Sequence, residues 1–208
     1  MFTDDILGPN DLEQLACEVR RIARLSDEEL LLAPEIAGRV LGPRGVAFGP
    51  RGTVAFLDGV RIIVPIDHPD LNFAVAHELA EWALAYLARF GGGHVERERA
   101  ANYVGAAIVA PASAVRRAHA HWGERLRTIA KAFALSQTCA ALRLAEVRRD
   151  ERAIITRSGH VLLRSQGAFP WGDVPVIRVA RGVERWRGLT KARLRGGIDE
   201  GRIALRVT

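Results

Sequence analysis

The sequence holds no run of about 18 uncharged apolar residues, the length a membrane-spanning helix needs, so no segment reads as a bilayer span. The opening residues, MFTDDILGPNDLEQ, are acidic where an export signal would be basic and then apolar. The expectation is a soluble, cytoplasmic protein with no membrane partner. Cysteine is scarce: the two residues, Cys17 and Cys139, lie far apart in helix-like segments. That fits buried free thiols better than a disulfide framework or a cysteine-based metal site. There is no internal repeat and no low-complexity segment.

What is present is a chain of 208 residues, 49% of them hydrophobic, enough to bury a core. Charge is unevenly spread. Residues 1–150 carry 18 Lys+Arg against 19 Asp+Glu, a net of −1, and residues 151–208 carry 12 against 5, a net of +7. A basic tail attracts nucleic acid or an acidic partner protein, and direct DNA contact through 151–208 is one reading. The other is that arginines interleaved with apolar residues, as in VIRVARGVERWRGL and IALRV, form only the wet face of strands.

Apolar residues at Leu12, Leu15, Ala16, Val19, Ile22 and Ala23 recur at helical spacing, giving a first amphipathic helix. Ser26 followed by Asp27, Glu28 and Glu29 reads as the start of a second. TVAFL and VRIIV, separated by Asp58-Gly59, predict an antiparallel hairpin, because that dipeptide supplies positive φ. Asp70 is placed to cap a long helix from Leu71 to Phe90, stopped by Gly91, Gly92 and Gly93. A further helix fits Val95 to Ala110, ended by Pro111, and 111–121, 124–134 and 136–149 read as three short ones, the last capped by Ser136. Beyond Asp150 the period changes: RAIITR, Ser158-Gly159 and HVLLR form a second hairpin signature, with VPVIRVA and RIALRV as later strands. The expected class is α+β: a mainly helical core over 1–150 with a small antiparallel hairpin, then a basic β-rich extension over 151–208.

The chemistry concentrates in FAVAHELAEWAL, residues 73–84. On a helix, His77 and Glu81 lie one turn apart on the same face, beside an apolar stripe of Phe73, Ala76, Ala80, Ala83, Leu84 and Leu87. Glu78 sits about 100° further round, where a carboxylate reaches a water near the pair. Two ligands one turn apart with a base between them is the mechanical logic of the H-E-x-x-H motif. A third ligand must come from elsewhere, and HVERERAANYVGAAIVAP offers Glu96 and Glu98. Glu98 has a polar residue, Asn102, one turn later to steady the site. Antiparallel packing of the two helices would bring Glu98 near His77. The bland reading is a His77–Glu81 hydrogen-bonded pair with Glu98 and Arg97 or Arg99 in surface ion pairs.

NFAVAHELAEWAL followed by ERAANYVGAAIVAP resembles the ImmA/IrrE metallopeptidases, and the preceding hairpin and LRTIAKAFALSQTCAALRL are similar to that family too, over residues 10 to 148. The resemblance implies a zincin-like core in which His77 is the first zinc ligand and Glu78 the general base acting on the attacking water. Glu98 is the third ligand, and Asn102 and Pro111 match structural positions. It also implies a substrate that is a DNA-binding helix-turn-helix repressor. The sequence departs from the pattern in having Glu81 for the second histidine, Ala80 for a glycine, and Val104-Gly105 for Phe-Ala. His94, between the two motif helices, is a candidate substitute ligand.

Glutamate reaches a metal from the same helical position as histidine, but it adds a second negative charge. Oxygen-rich ligation moves preference from Zn2+ toward Mn2+ or Fe2+. Three functions therefore compete: a zinc-dependent endopeptidase; a weakened or inactive peptidase-fold protein that grips a regulator or DNA, in an anti-repressor or toxin-antitoxin-like role; and a DNA-reading helix pair at 124–149 exposing Gln137, Thr138, Ala141 and Arg143.

Overall fold

A computed structural model describes residues 7–59, 61–88, 93–123 and 125–148, together with the backbone of 152–156, 161–164, 193–199 and 202–206. The side chains of residues 94, 95, 138 and 145 also lie outside the description. The chain forms two compact units, Met1–Ala114 and Val115–Thr208. The architecture is α+β, mostly helical with a small mixed sheet, as the sequence predicts.

The first unit opens with α1 (Pro9–Ile22), whose N-terminus is closed by Asp11 accepting from the Gly8 N–H at 2.9 Å. Leu12, Leu15, Ala16 and Val19 are buried on one face, and Arg20 is buried with them at 1% exposure, whereas Cys17, expected to be buried, is exposed because helical spacing turns it away from that face. The Arg20 guanidinium donates to the carbonyls of Ile108 at 2.8 Å, Glu29 at 2.7 Å and Ser26. These bonds overturn the helix expected to start at Ser26. Ser26 and Glu29 do meet as a capping pair, with the Ser26 N–H donating to the Glu29 carboxylate at 2.8 Å. But Arg20 claims the carbonyls a helix would need, and Pro34 has no N–H to offer Leu30. The helix starts instead at α2 (Ala33–Leu41), with the proline in its first turn. The Ala33 N–H is capped across the unit by Asn72 Oδ1 at 2.6 Å.

The predicted hairpin is present as β2 (Phe56–Asp58) and β3 (Arg61–Pro65), with Gly59 at φ 58° in the turn. A further strand, β1 (Val46–Gly49), lies parallel to β3 in the register Val46 to Ile62, so the order is β1-β3-β2. Ile62 and Val64 of the central strand are fully buried.

Next comes α3 (Leu71–Tyr86), capped as expected by Asp70, which accepts from the Phe73 N–H at 3.3 Å. The helix ends at Tyr86; Phe90, Gly91 and Gly92 lie outside the described residues, and Gly93 is the N-cap of the following helix. Burial departs from the predicted stripe, of which Phe73 and Leu87 are only partly buried. Ala76, Ala80, Ala83 and Leu84 are buried, and so are Ala74, Val75 and Leu79, because α3 is packed by α2, α4, β2 and β3 at once. α4 (His94–Val109) is its main neighbour. The two helices approach closely at Gly105, where a Cβ would stand 3.0 Å from the Ala76 carbonyl oxygen and 3.1 Å from the His77 nitrogen. Glycine is what lets the backbones touch there.

α5 (Ala112–Trp122) carries the chain into the second unit. There α6 (Leu126–Ala132) and α7 (Gln137–Arg148) pack on each other, and the Ser136 hydroxyl caps α7 by accepting from the Cys139 N–H at 3.2 Å. The DNA-reading helix pair is not borne out at two of its four positions. Ala141 is buried, and Arg143 is 1% exposed with its guanidinium 3.4 Å from Glu146. β4 (Arg152–Thr156), β5 (Val161–Arg164), β6 (Arg193–Asp199) and β7 (Arg202–Arg206) form an antiparallel sheet in the order β5-β4-β7-β6. The strand expected at VPVIRVA and the Ser158-Gly159 turn lie outside the described residues. β6 had no clear period in the sequence, since Gly196 and Gly197 fall where its pairing with β7 shifts register. Among the described residues, no helix is long and apolar enough to cross a membrane.

Candidate metal centre

The close approach at Gly105 sets α3 and α4 so that three side chains converge: His77, Glu81 and Glu98 each offer a ligand atom, all within 4.8 Å of one another. His77 Nε2 lies 3.6 Å from Glu98 Oε2. That is close to the edge of a tetrahedron with bonds of about 2.0 to 2.1 Å, roughly 3.4 Å. The donor set, one imidazole and two carboxylates, fits a divalent cation, and this group could hold one.

The imidazole is oriented by Asn102, whose Oδ1 lies 3.1 Å from His77 Nδ1. A carbonyl oxygen only accepts, so a proton on Nδ1 donates to it, and Nε2 is the ring atom that faces Glu98. Asn102 thus steadies the histidine rather than the glutamate one turn before it. Phe73 lies across the ring, its centroid 6.4 Å from that of His77.

Glu78 is half-buried beside the cluster. Removal from water pushes its carboxyl above the usual carboxylate range. Glu81 and Glu98 push the same way by repulsion, while His77 and the backbone N–H of Leu57 on β2 pull against them. A carboxylate raised by desolvation at the edge of a cation site is suited to taking up a proton.

Glu81 is 14% exposed and one of its oxygens is held by Arg97 of α4. From sequence, Glu98 is expected in surface ion pairs with Arg97 or Arg99; the carboxylate that Arg97 meets is Glu81. Glu96 stays out of the cluster, reaching back instead over the Gly93 N-cap of its own helix. His94 is the first residue of α4 rather than part of a loop, and its side chain lies outside the described residues.

No protein-family model and no curated protein matches the chain. Among solved structures it is similar to a Mycobacterium tuberculosis transcriptional regulator, with a TM-score of 0.61 and 17% identity over 80% of this chain and 59% of that one. The likeness is one of fold, and the chain spans 59% of that structure's length.

Proposed function

We propose that the protein is a metal-dependent endopeptidase of the ImmA/IrrE type, acting on a DNA-binding repressor or another regulator. The observation that carries this reading is the convergence of His77, Glu81 and Glu98 beside a half-buried Glu78. His77, Glu81 and Glu98 would hold the cation, which when bound supplies Lewis acidity toward a peptide carbonyl. Zinc is the metal expected from the motif, with manganese or iron as alternatives because two of three ligands are oxygen. Glu78 takes the proton of the attacking water and returns it to the leaving amine nitrogen. Its desolvation raises its basicity for the first step. Asn102 fixes the His77 ring so that Nε2 is the free donor. A role in regulation draws support from the likeness in fold to the Mycobacterium tuberculosis transcriptional regulator.

The test is Glu78→Gln. Protein purified without chelator should carry close to one equivalent of transition metal by mass spectrometry and cleave a helix-turn-helix repressor. The variant should keep its metal and lose cleavage by a factor of about 10² or more. Equal cleavage by the variant, or a metal-free native protein, would overturn the proposal.

A second reading has a specific observation behind it. The Arg97–Glu81 ion pair satisfies Glu81 without any cation, as in a peptidase fold that only binds a regulator. Partner binding that persists in chelator, with no cleavage, would select it.

A further inference from the structure

The glutamate at position 81 does not stand alone: it comes with Arg97, and the two side chains reach each other from different helices. The Arg97 Nε donates to Glu81 Oε2, and the other oxygen of that carboxylate has no partner among the described residues. We infer that Arg97 is a positioning residue for the cation centre, holding Glu81 toward His77 and Glu98 and offsetting the charge this ligand set carries beyond one histidine more. The inference rests on the metal-centre reading given above.

The physical case begins with repulsion. Glu78, Glu81 and Glu98 crowd one imidazole, so repulsion drives an unanchored carboxylate at 81 away from the other two. A glutamate turns about three side-chain bonds, and freezing them falls to the cation unless something has already done it. Arg97 does so in advance. Its planar guanidinium binds a carboxylate oxygen along a fixed direction, unlike a flexible ammonium group. Losing its positive charge strengthens the long-range pull on a cation, but Arg97 itself is 39% exposed, and solvent at its side of the site screens that gain. Loss of the anchored geometry outweighs it.

The test is a titration of the full, chelator-stripped chain with Zn2+ alone and then with Mn2+ alone, following binding by calorimetry. The variants are Arg97→Gln, Arg97→Lys, Glu81→His and the double variant Glu81→His with Arg97→Gln. Arg97→Gln should weaken binding about 10- to 100-fold, as removal of a ligand's hydrogen-bond partner does. Arg97→Lys should recover part of the loss, because it restores charge without the fork. In the Glu81→His background, removing Arg97 should change affinity by less than about twofold, since the carboxylate it acts through is gone. Arg97→Gln leaves the Glu81 carboxylate, 14% exposed, without its partner and should lower the metal-free melting temperature, so affinities are read well below the melting point of each variant. If Arg97→Gln does not fold, Arg97→Lys in the two backgrounds carries the comparison. Affinity that is unchanged or higher without Arg97 would overturn the inference, as would an equal loss with His at 81. A parent protein that binds neither ion would instead sink the metal-centre reading, and this inference with it.

Discussion

Glu78 has an ordinary identity and an unusual setting. A carboxyl group raised in the folded protein by desolvation favours its neutral form. The stability it contributes is fully present below the unfolded carboxylate value and is lost as pH rises through the raised folded value. Above that raised value the cation-free protein carries a half-buried charge that works against folding. Glu78→Gln should raise the melting temperature of chelator-treated protein at pH 7, and the advantage should shrink toward pH 4, as thermal melts across that range would record. Asn102 invites a different measurement. Replacing it with Ala removes the acceptor for His77 Nδ1, frees the ring and its tautomer, and should cost about 10- to 100-fold in Zn2+ affinity. Asn102→Asp, which keeps an acceptor, should retain more affinity; if both variants bind like the parent, the hydrogen bond does not orient the ligand.

Between elements, the decisive contact is the one at Gly105. Adding a methyl group there places it 3.0 Å from a backbone carbonyl oxygen and 3.1 Å from a backbone nitrogen of α3, neither of which can rotate away. Gly105→Ala should therefore force α3 and α4 apart, at a cost of about 1 to 3 kcal/mol of stability by denaturant melts. Because His77 and Glu98 sit on those two helices, the same change should weaken cation binding; a variant that destabilises but binds normally would uncouple the packing from the site. The helices themselves were legible in sequence because their signals are local: Asp70 before α3, Ser136 before α7 and Asp58-Gly59 between β2 and β3 act within a few residues. His77, Glu78, Glu81, Glu98 and Asn102 could be singled out because helical spacing and a two-helix motif tie them together. What escaped was non-local. Ser26 carries a helix-start signal that Arg20 cancels from another element, and β1 is four residues paired in parallel with a strand 16 positions on. Arg97 meets Glu81 across the α3–α4 packing, and no spacing rule joins positions 16 apart on two helices. Its one sequence signal was chemical: a second carboxylate in a ligand set asks for a counter-charge.

At the scale of the molecule, the basic character lies in residues 151–208, whereas all three converging ligand side chains lie within Met1–Ala114. The centre bridges two helices that pack against each other, so a bound cation acts as a cross-link of the folded state and has no comparable site in the unfolded chain. Mass action then gives the size of the effect: at a free concentration about 100 times its dissociation constant, the cation adds about 2.7 kcal/mol. For a unit the length of Met1–Ala114 that is a rise of roughly 10 °C in its melting temperature, reversed by chelator. Hydrogen exchange would show where the gain resides. Added Zn2+ should slow amide exchange in residues 71–86 and 94–109, the two helices that carry His77, Glu81 and Glu98, and leave residues 126–148 unchanged, because α6 and α7 form a separate compact unit with their own buried residues, Ile129 and Leu144 among them. Protection that rises equally in both units would mean that the chain opens as a single cooperative body. No thermal shift and no protection with Zn2+ or Mn2+ would mean that His77, Glu81 and Glu98 converge without binding either ion, with Arg97 as the standing partner of Glu81.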